Sequence, residues 1–461
     1  MVAAGLLTAL AVRAGAADTV PGALVQAYKN NPQLNAQRAA ARAVDESVAI
    51  ALGGYRPRVT ATASLTELRL ETLTRVPATA AVPTGKAAAA GDLLAQNYAL
   101  TATQTLFNGF QTGNRTRQAE AQVFAARETL RNTEQTVLLN AVTAYMNLLR
   151  DTAILELQRS NVNVLEATLR QTRDRFNVGE VTRTDVAQAE SRLAGGRSQM
   201  LGAESNYVTS KATYRQVIGV EPGKLAPGTS VDRFSPPTLP GALRRGDTEH
   251  PAIGTAAFNV DAAQFQVKIA EGALYPTLTL QGQLQKTFGS TTNFTTLQTF
   301  TPSVTAQLSV PIYQGGVEYA TIRQAKETLG QRRIDLDTAR EQVQQTVVQA
   351  WGQLQAAKAQ IEATKAQVAA TEIALNGVRE EARVGQRTTL DVLNAQQDLV
   401  NARVAMVTAE RDRVVASYTV LAATGALSPQ VLKLPIENYD PVVHYQQVRD
   451  VWFGVRTPDG R

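Results

Sequence analysis

The chain of 461 residues repeats itself once, and this repetition constrains its fold more than any other feature of the sequence. The segment Val178–Val186 reads VGEVTRTDV, and 206 residues later the segment Val384–Val392 reads VGQRTTLDV. The same displacement carries Gly219 onto Gly425. Chance similarity is common among helices rich in alanine and glutamine, but it does not keep glycine and aspartate in register. The sequence therefore predicts an internal duplication in which each structural element occurs twice.

Glycine and proline positions predict the same layout in both copies. Pro32 and Pro251, which are 219 residues apart, lie at the start of a helix of about 20 residues that leads into a strand hairpin. A very long helix follows at 113–176 and again at 317–383, then a glycine-bearing turn and a second helix. The predicted organisation is a signal peptide at 1–17, a first repeat at 18–220, an inter-repeat linker at 221–250, a second repeat at 251–425 and a C-terminal equatorial tail at 426–461.

Both hairpins show the period-2 alternation of a sheet with one apolar and one polar face. Val59, Leu65 and Leu100 lie on the apolar side of the first hairpin, and Leu280 and Val304 on that of the second. Each run is about as long as the ~9–11 residues that a tilted strand needs to cross a bilayer. Four strands cannot close a barrel, and lipid does not tolerate open sheet edges, so the pattern favours a barrel shared between chains. The number of strands stays open, as does a soluble sheet with one face on a core.

The long helices favour the wall of a hollow tube. A helix of about 65 residues spans roughly 100 Å, which is far longer than a globular domain requires. Its apolar positions, such as Ala119, Val123 and Leu130, spread more widely than a single coiled-coil seam. A wide apolar stripe suits a helix with neighbours on two sides. A rod-like coiled coil is the alternative interpretation.

Composition excludes several classes of function. The chain has no cysteine and two histidines, which excludes a disulfide framework, an acylated cysteine anchor and most metal sites and catalytic triads. The formal charge is +6, but the two signs are interleaved, so no nucleic-acid footprint is expected. The apolar segment 2–12 followed by Ala14-Gly15-Ala16-Ala17 resembles a secretory signal with cleavage after Ala16 or Ala17.

Taken together, these residues resemble the TolC family of outer-membrane factors, and the most specific match is the Val-Gly-x-x-Thr-x-x-Asp-Val turn. The tail around Trp452 and Phe453 also resembles members that lack a lipid anchor, including those that serve type I secretion. The resemblance implies an α+β membrane protein of the Gram-negative outer membrane, a homotrimer whose shared β-barrel of about twelve strands is continuous with a periplasmic α-helical barrel. It implies no enzymatic chemistry, no catalytic residue, no metal and no cofactor.

The implied function is an export duct. It would carry proteins or small molecules from an inner-membrane ABC or proton-driven pump, through a periplasmic adaptor (membrane fusion) protein, across the periplasm and the outer membrane. Type I secretion and tripartite efflux both stay open as the source of cargo, with the tail favouring the former. A secreted periplasmic coiled-coil scaffold or adaptor without a pore is the alternative from another class. An enzyme lacks a supporting constellation, because paired carboxylates such as Glu380 and Glu381 lie on a charged, solvated helix face.

The resemblance also assigns the candidate site, which lies at the two glycine-bearing turns. Asp185 and Arg387 match an acid–base link that holds the periplasmic entrance shut, while Ala382 replaces the tyrosine of that link. Asp391 matches a constricting ring of carboxylates that favours cations, and Asn394 replaces its acidic companion. Helix N-capping is the alternative role for both aspartates, and the two roles are compatible.

The same turns are implied to bind the adaptor. The residues concerned are Gly179, Thr182 and Asp185 in the first turn and Gly385, Thr388 and Asp391 in the second.

Overall fold

The computed structural model describes residues 19–75, 86–289, 298–458 and 460. The predicted signal peptide at 1–17 lies outside these residues, as do 76–85 and 290–297, which connect the strands of the two hairpins. The described chain forms two compact units, and each draws on both predicted repeats. Unit 1 comprises Met1–Ala41, Ala126–Ala256 and Leu336–Pro441, and unit 2 comprises Arg42–Ala125, Ala257–Asp335 and Val442–Arg461.

The described residues are mostly helical, with one small sheet, as the sequence predicted at this coarse level. The first half contains α1 (Val20–Asn30), α2 (Pro32–Leu52), β1 (Arg58–Arg75), β2 (Lys86–Asn108), α3 (Gln111–Asn177) and α4 (Arg183–Ile218). The remainder contains α5 (Leu239–Glu249), α6 (Pro251–Gly272), β3 (Thr277–Phe288), β4 (Thr299–Ser309), α7 (Val317–Arg383), α8 (Thr389–Ala423) and α9 (Pro441–Val448). Helices α3 and α7 each contain 67 residues and begin 206 residues apart. Within the described ranges, no helix has the length and apolar content that crossing a membrane requires.

The sheet lies in unit 2 and is antiparallel throughout, in the order β1-β2-β3-β4. The register sets Ala61 opposite Leu100, Leu100 opposite Leu284 and Leu284 opposite Pro302, so apolar residues share one face across all four strands. Threonine, serine and glutamine share the other face. The apolar face is exposed in the chain, with Val304 at 79% of its maximum. This exposure does not fit the alternative of a sheet packed on a core.

Gln104 breaks the alternation, and the structure gives the reason. By its position in β2 it belongs to the apolar face, where it lies opposite Leu280. Its side-chain amide donates to the carbonyl oxygens of Tyr55 at 2.9 Å and Thr105 at 3.1 Å. The register shifts immediately afterwards, between Thr105 and Phe107. Gln104 therefore satisfies backbone acceptors at the end of the sheet, where the regular ladder is interrupted.

The largest apolar cluster of unit 1 joins α1, α3, α4 and α8. Its fully buried members include Leu24, Tyr145, Tyr214 and Leu421. The hydroxyl of Tyr145 donates to the carbonyl oxygen of Ala226 at 2.6 Å, so this buried polar group has a partner. Small residues such as Ala23, Ala27 and Ala141 lie between these large side chains, which allows the helices to pack closely.

A buried pair fixes α9 to α2 in unit 2. His444 Nδ1 lies 3.0 Å from Asp45 Oδ2, and both residues are less than one tenth exposed. Val48, Ala119 and Val123 form an apolar cluster with Tyr445 at its margin. The residues that follow α9 are therefore held near the end of α2.

We predict that Asp45→Ala weakens the docking of α9. Removal of one partner of a buried polar pair leaves the other uncompensated, which typically costs about 3 kcal/mol. Amide hydrogen exchange of residues 441–448 should accelerate strongly. Asp45→Asn, which keeps an acceptor for His444, should accelerate it less. Equal exchange in all three proteins would show that the pair does not hold the helix.

Candidate functional site

The two predicted turns join α3 to α4 and α7 to α8 in unit 1, with five residues between the helices in each case. In the first turn, the amide of Gly179 donates to the carbonyl of Phe176 and that of Glu180 to the carbonyl of Arg175, both at 2.9 Å. In the second turn, the amides of Gly385 and Gln386 make the equivalent bonds to the carbonyls of Ala382 and Glu381, at 3.2 and 2.9 Å. The φ angles of Gly179 and Gly385 are 83° and 79°, a conformation that strains other residues. This arrangement is a Schellman motif, which ends a helix with its carbonyl groups satisfied.

A capping box begins the helix that follows each turn. The amide and hydroxyl of Thr182 donate to Asp185 Oδ2 at 2.9 and 2.7 Å, and the amide of Asp185 donates back to the hydroxyl at 3.3 Å. Thr388 and Asp391 make the same three bonds at 3.0, 2.8 and 3.2 Å. The Gly-x-x-Thr-x-x-Asp spacing thus places a helix stop, an N-cap and its reciprocal carboxylate in one short turn.

These hydrogen bonds lower the pKa of both carboxyl groups. The side-chain hydrogen bond from Thr182, followed by its backbone hydrogen bond, lowers the pKa of Asp185. For Asp391, the backbone and then the side-chain hydrogen bond of Thr388 lower the pKa in the same way. Both groups therefore stay charged at neutral pH, and each turn presents a fixed negative charge at a helix N-terminus.

Each turn also carries an ion pair at its tip, and the two pairs have opposite polarity. Arg175 at the end of α3 donates to Glu180 in the first turn, with Nε 3.0 Å from Oε2. In the second turn the acid is on the helix and the base in the turn, because Arg387 Nε donates to Glu381 Oε2 at 2.8 Å. The hydrogen bond and the charge of Glu381 raise the pKa of Arg387.

The structure therefore gives the predicted gate residues partners within one chain. Among the described residues, Asp185 and Arg387 form no ion pair with each other, since Asp185 is bonded to Thr182 and Arg387 to Glu381. The carbonyl of Ala382, the position of the missing tyrosine, accepts from the amide of Gly385 at 3.2 Å.

Asn394, the predicted replacement for a second acidic ring, bridges two helices. Its Oδ1 accepts from Arg192 Nη2 on α4 at 2.6 Å. The neighbouring Leu393 is buried in a cluster with Leu165 and Leu193, so the start of α8 packs on α3 and α4. Arg192 is thus the basic partner of the position where the resemblance implies an acid.

Sequence reasoning missed Arg192 and the role of Glu381. Glu381 was expected to be only solvated. Its side chain is 45% exposed and forms the tip pair described above. A comparison of the two copies could have identified Glu381. With the displacement of 206 residues, Glu381 is equivalent to Arg175, so the charge at this position is opposite in the two copies.

Ladders of polar pairs continue away from both turns. Two rungs of each hairpin are related by the displacement of 206 residues: Arg173–Glu190 at 2.6 Å and Arg197–Glu166 at 2.7 Å in the first hairpin, and Arg379–Gln396 at 2.9 Å and Arg403–Glu372 at 2.5 Å in the second. All these side chains are exposed or half-exposed, so each pair contributes at most about 1 kcal/mol. The ladders are therefore compatible with the register of each helix pair and add little to its stability.

In the part of the chain that the structure describes, no group of three or more His, Asp or Glu side chains is arranged to hold a metal ion. The chemistry at the turns consists of hydrogen bonds and exchangeable ion pairs.

Comparison with known proteins bears on the family to which the chain belongs. Residues 23–220 and 247–426 match the profile of the outer membrane efflux protein family. The chain is 43% identical to the outer membrane efflux protein BepC of Brucella suis over 467 aligned residues, which cover 100% of this chain and 98% of the relative. It is 27% identical to the outer membrane protein TolC of Escherichia coli, with 66% of this chain and 64% of the relative covered.

Among solved structures, the crystal structure of the Campylobacter jejuni CmeC outer membrane channel superposes with a TM-score of 0.73. The sequences are 18% identical, and the match covers 94% of this chain and 89% of the other. This likeness concerns the fold, which is that of the TolC-like channels.

The chain belongs to the outer membrane efflux protein family. This membership confirms the resemblance to TolC, the outer-membrane location and the function as an export channel. The roles of individual turn residues stay predictions.

We predict that Thr182→Ala loosens the first turn of α4. Loss of an N-cap hydroxyl typically costs about 1 kcal/mol, because it leaves a helix amide without its acceptor. The amide of Asp185 should exchange its hydrogen faster, as measured by NMR or mass spectrometry. Thr184→Ala is the matched control, since Thr184 is exposed in the same turn. Equal acceleration by both substitutions would contradict the role of Thr182 as the cap.

Proposed function

We propose that the protein is a passive export duct in which three copies share a twelve-stranded β-barrel and contribute their long helices to a tube. The observation that carries this proposal is the four-stranded sheet of unit 2, with its exposed apolar face and two free edge strands. Lipid can cover an apolar face, but it cannot satisfy the hydrogen-bonding groups of an open edge. Pairing of β4 with β1 of another copy removes both edges.

The dimensions of the sheet support this proposal. The shortest strand, β4, has 11 residues and therefore extends for about 36 Å at ~3.3 Å per residue. A strand of this length tilted by about 40° rises about 28 Å, which is sufficient for the apolar band of about 25 Å of an outer-membrane barrel. Two copies would give eight strands, and a barrel of about that size is filled by its own side chains. Three copies give a barrel wide enough for cargo, with the threonine and glutamine face inward.

The proposed gate uses partner exchange at the turns. Arg387 is exposed and paired with Glu381 of its own chain, while Asp185 keeps a negative charge that its capping box does not neutralise. In the closed duct, Arg387 would turn from Glu381 to Asp185 of a facing helix. Exposed pairs of this kind are weak, so a docking partner can shift the balance between them.

The partners follow from a passive mechanism. A duct without a catalytic site needs an energised inner-membrane pump and a periplasmic adaptor that reaches the turns. The ring of Asp391 carboxylates at the entrance would favour cations. The relative BepC is named for efflux, which favours small-molecule cargo, whereas the tail favours protein secretion; both cargo classes stay in the proposal.

Reconstitution in planar lipid bilayers tests the proposed function directly. We expect discrete ion conductance from the purified protein and a trimer that dissociates on heating in detergent gels. A coiled-coil scaffold without a pore would give neither. The absence of both conductance and heat-modifiable trimers would therefore reject the duct in favour of the scaffold.

We predict that Arg387→Ala raises single-channel conductance, because it removes the base of the closed link. Asp185→Asn should do the same, and it preserves an oxygen for the capping box. Glu381→Ala should lower conductance, since it frees Arg387 for Asp185. Glu380→Ala is the matched control, because Glu380 pairs with Arg383 and not with the turn. Unchanged conductance in both Arg387→Ala and Asp185→Asn would refute the link.

We also predict that Asp391→Asn reduces cation selectivity, measured as the reversal potential in a salt gradient. Asparagine keeps the capping acceptor, so the change isolates the charge. In the Asp391→Asn variant, the further change Asn394→Asp should restore little cation selectivity, because Arg192 Nη2 lies 2.6 Å from the side-chain oxygen of Asn394 and would neutralise the new carboxylate. Addition of both Arg192→Gln and Asn394→Asp to the Asp391→Asn variant should restore more. If the reversal potential is the same in the wild-type protein and in Asp391→Asn, the proposed ring of Asp391 carboxylates is excluded.

A further inference from the structure

The segment 449–456, which follows α9, lies against the start of the sheet in unit 2. Arg56, two residues before β1, donates from Nη1 to the carbonyl oxygen of Val451 at 2.7 Å. Its guanidinium also lies 4.7 Å from the centre of the Trp452 ring. Arg56 thus holds this segment through a hydrogen bond and a cation–π contact.

The seated segment presents its apolar side chains outward. Trp452 is 60% exposed, Phe453 89% and Val455 99%. The two aromatic rings lie 6.5 Å apart, so they form one patch. Exposure of this much contiguous apolar surface is unfavourable in water and normally marks a surface that binds something.

The position of Arg56 connects this patch to the apolar face of the sheet. Gln104 lies at the end of that face, and its amide donates to the carbonyl oxygen of Tyr55. The antiparallel register also places the start of β1, the end of β2, the start of β3 and the end of β4 at the same end of the sheet. Beyond these strand ends, further large aromatic side chains are exposed: Tyr55, Phe110, Tyr275 and Tyr313.

We propose that residues 451–455 insert into the headgroup region of a phospholipid leaflet and anchor the sheet at the leaflet that borders the starts of β1 and β3. Tryptophan and tyrosine favour this region because each combines an apolar ring with a polar group. Arg449 and Arg456, both exposed, flank the patch and can meet lipid phosphates. The inference rests on the proposed function, because it requires the apolar face of the sheet to lie in lipid.

The lipid leaflet fits this patch better than a protein partner does. The patch lies near the end of a sheet face of leucine, valine and alanine, because Arg56 is two residues before β1 and Gln104 of that face donates to the adjacent Tyr55. Arg56 contacts the backbone of Val451 and the ring of Trp452, and both Trp452 and Phe453 stay exposed. A contact with a second copy of the chain is the competing occupant, and the experiment distinguishes the two.

The chain contains two tryptophans, Trp351 and Trp452, which makes fluorescence a direct test. Trp351→Phe leaves Trp452 as the sole reporter. Trp452→Phe leaves Trp351, which packs in a helical cluster of unit 1 and serves as the matched control. A third variant, Trp351→Phe/Trp452→Phe/Val304→Trp, places the reporter on the apolar face of the sheet. Each full chain is reconstituted in phosphatidylcholine vesicles whose acyl chains carry bromine near the headgroup, since bromine quenches tryptophan only at close contact.

We expect Trp452 and the Val304→Trp reporter each to lose about half or more of their emission relative to unbrominated vesicles, with Trp351 unchanged. Quenching of the Val304→Trp reporter without quenching of Trp452 would overturn the anchor and leave the duct intact. That result would point to burial of the segment against another copy. Quenching of neither reporter would overturn both proposals. Equal quenching of all three tryptophans would indicate non-specific adsorption and would also overturn the anchor.

Discussion

The structure depends on hydrogen bonds made within two turns of five residues. Helices of 67 residues fold back on their partners at these turns, and the backbone groups at a helix end need donors or acceptors from outside the helix. The Schellman motif at Gly179 and Gly385 and the capping box of each following threonine meet that requirement locally. The register of each helix pair follows from the turn, and the polar ladders follow from the register. The positions of both aspartates are fixed by the same bonds.

The sheet, unlike the turns, does not cover all of its own surface. Its internal ladder is satisfied, but its apolar face and both edges are left for the surroundings to cover. The helical hairpins are therefore locally self-sufficient, while the sheet leaves apolar surface exposed in the single chain. Membership in the outer membrane efflux protein family accords with this division of roles.

Hydrophobic periodicity and the positions of glycine and proline predicted the helices and strands well, because both are determined by residues that are close in the sequence. The predicted limits of α7, at 317–383, agree with the structure, and the alternation in β1 to β4 appears as two chemically distinct faces. Pairings between distant residues could not be predicted in this way. Nothing in the period of α4 or α8 indicates that Arg192 meets Asn394, and Arg56 and Trp452 are brought together only by the fold. The exception at Gln104 was visible in the sequence, but its cause was not, since the acceptor belongs to another segment.

The reversed polarity of the tip pairs has a consequence for any protein that docks on the turns. Glu180 occupies the first turn and Arg387 the second, on hairpins that otherwise share their geometry. A partner with identical contacts for both turns would meet a negative charge at one turn and a positive charge at the other. Two turns of nearly identical geometry are thus distinguished by a single exchange of sign.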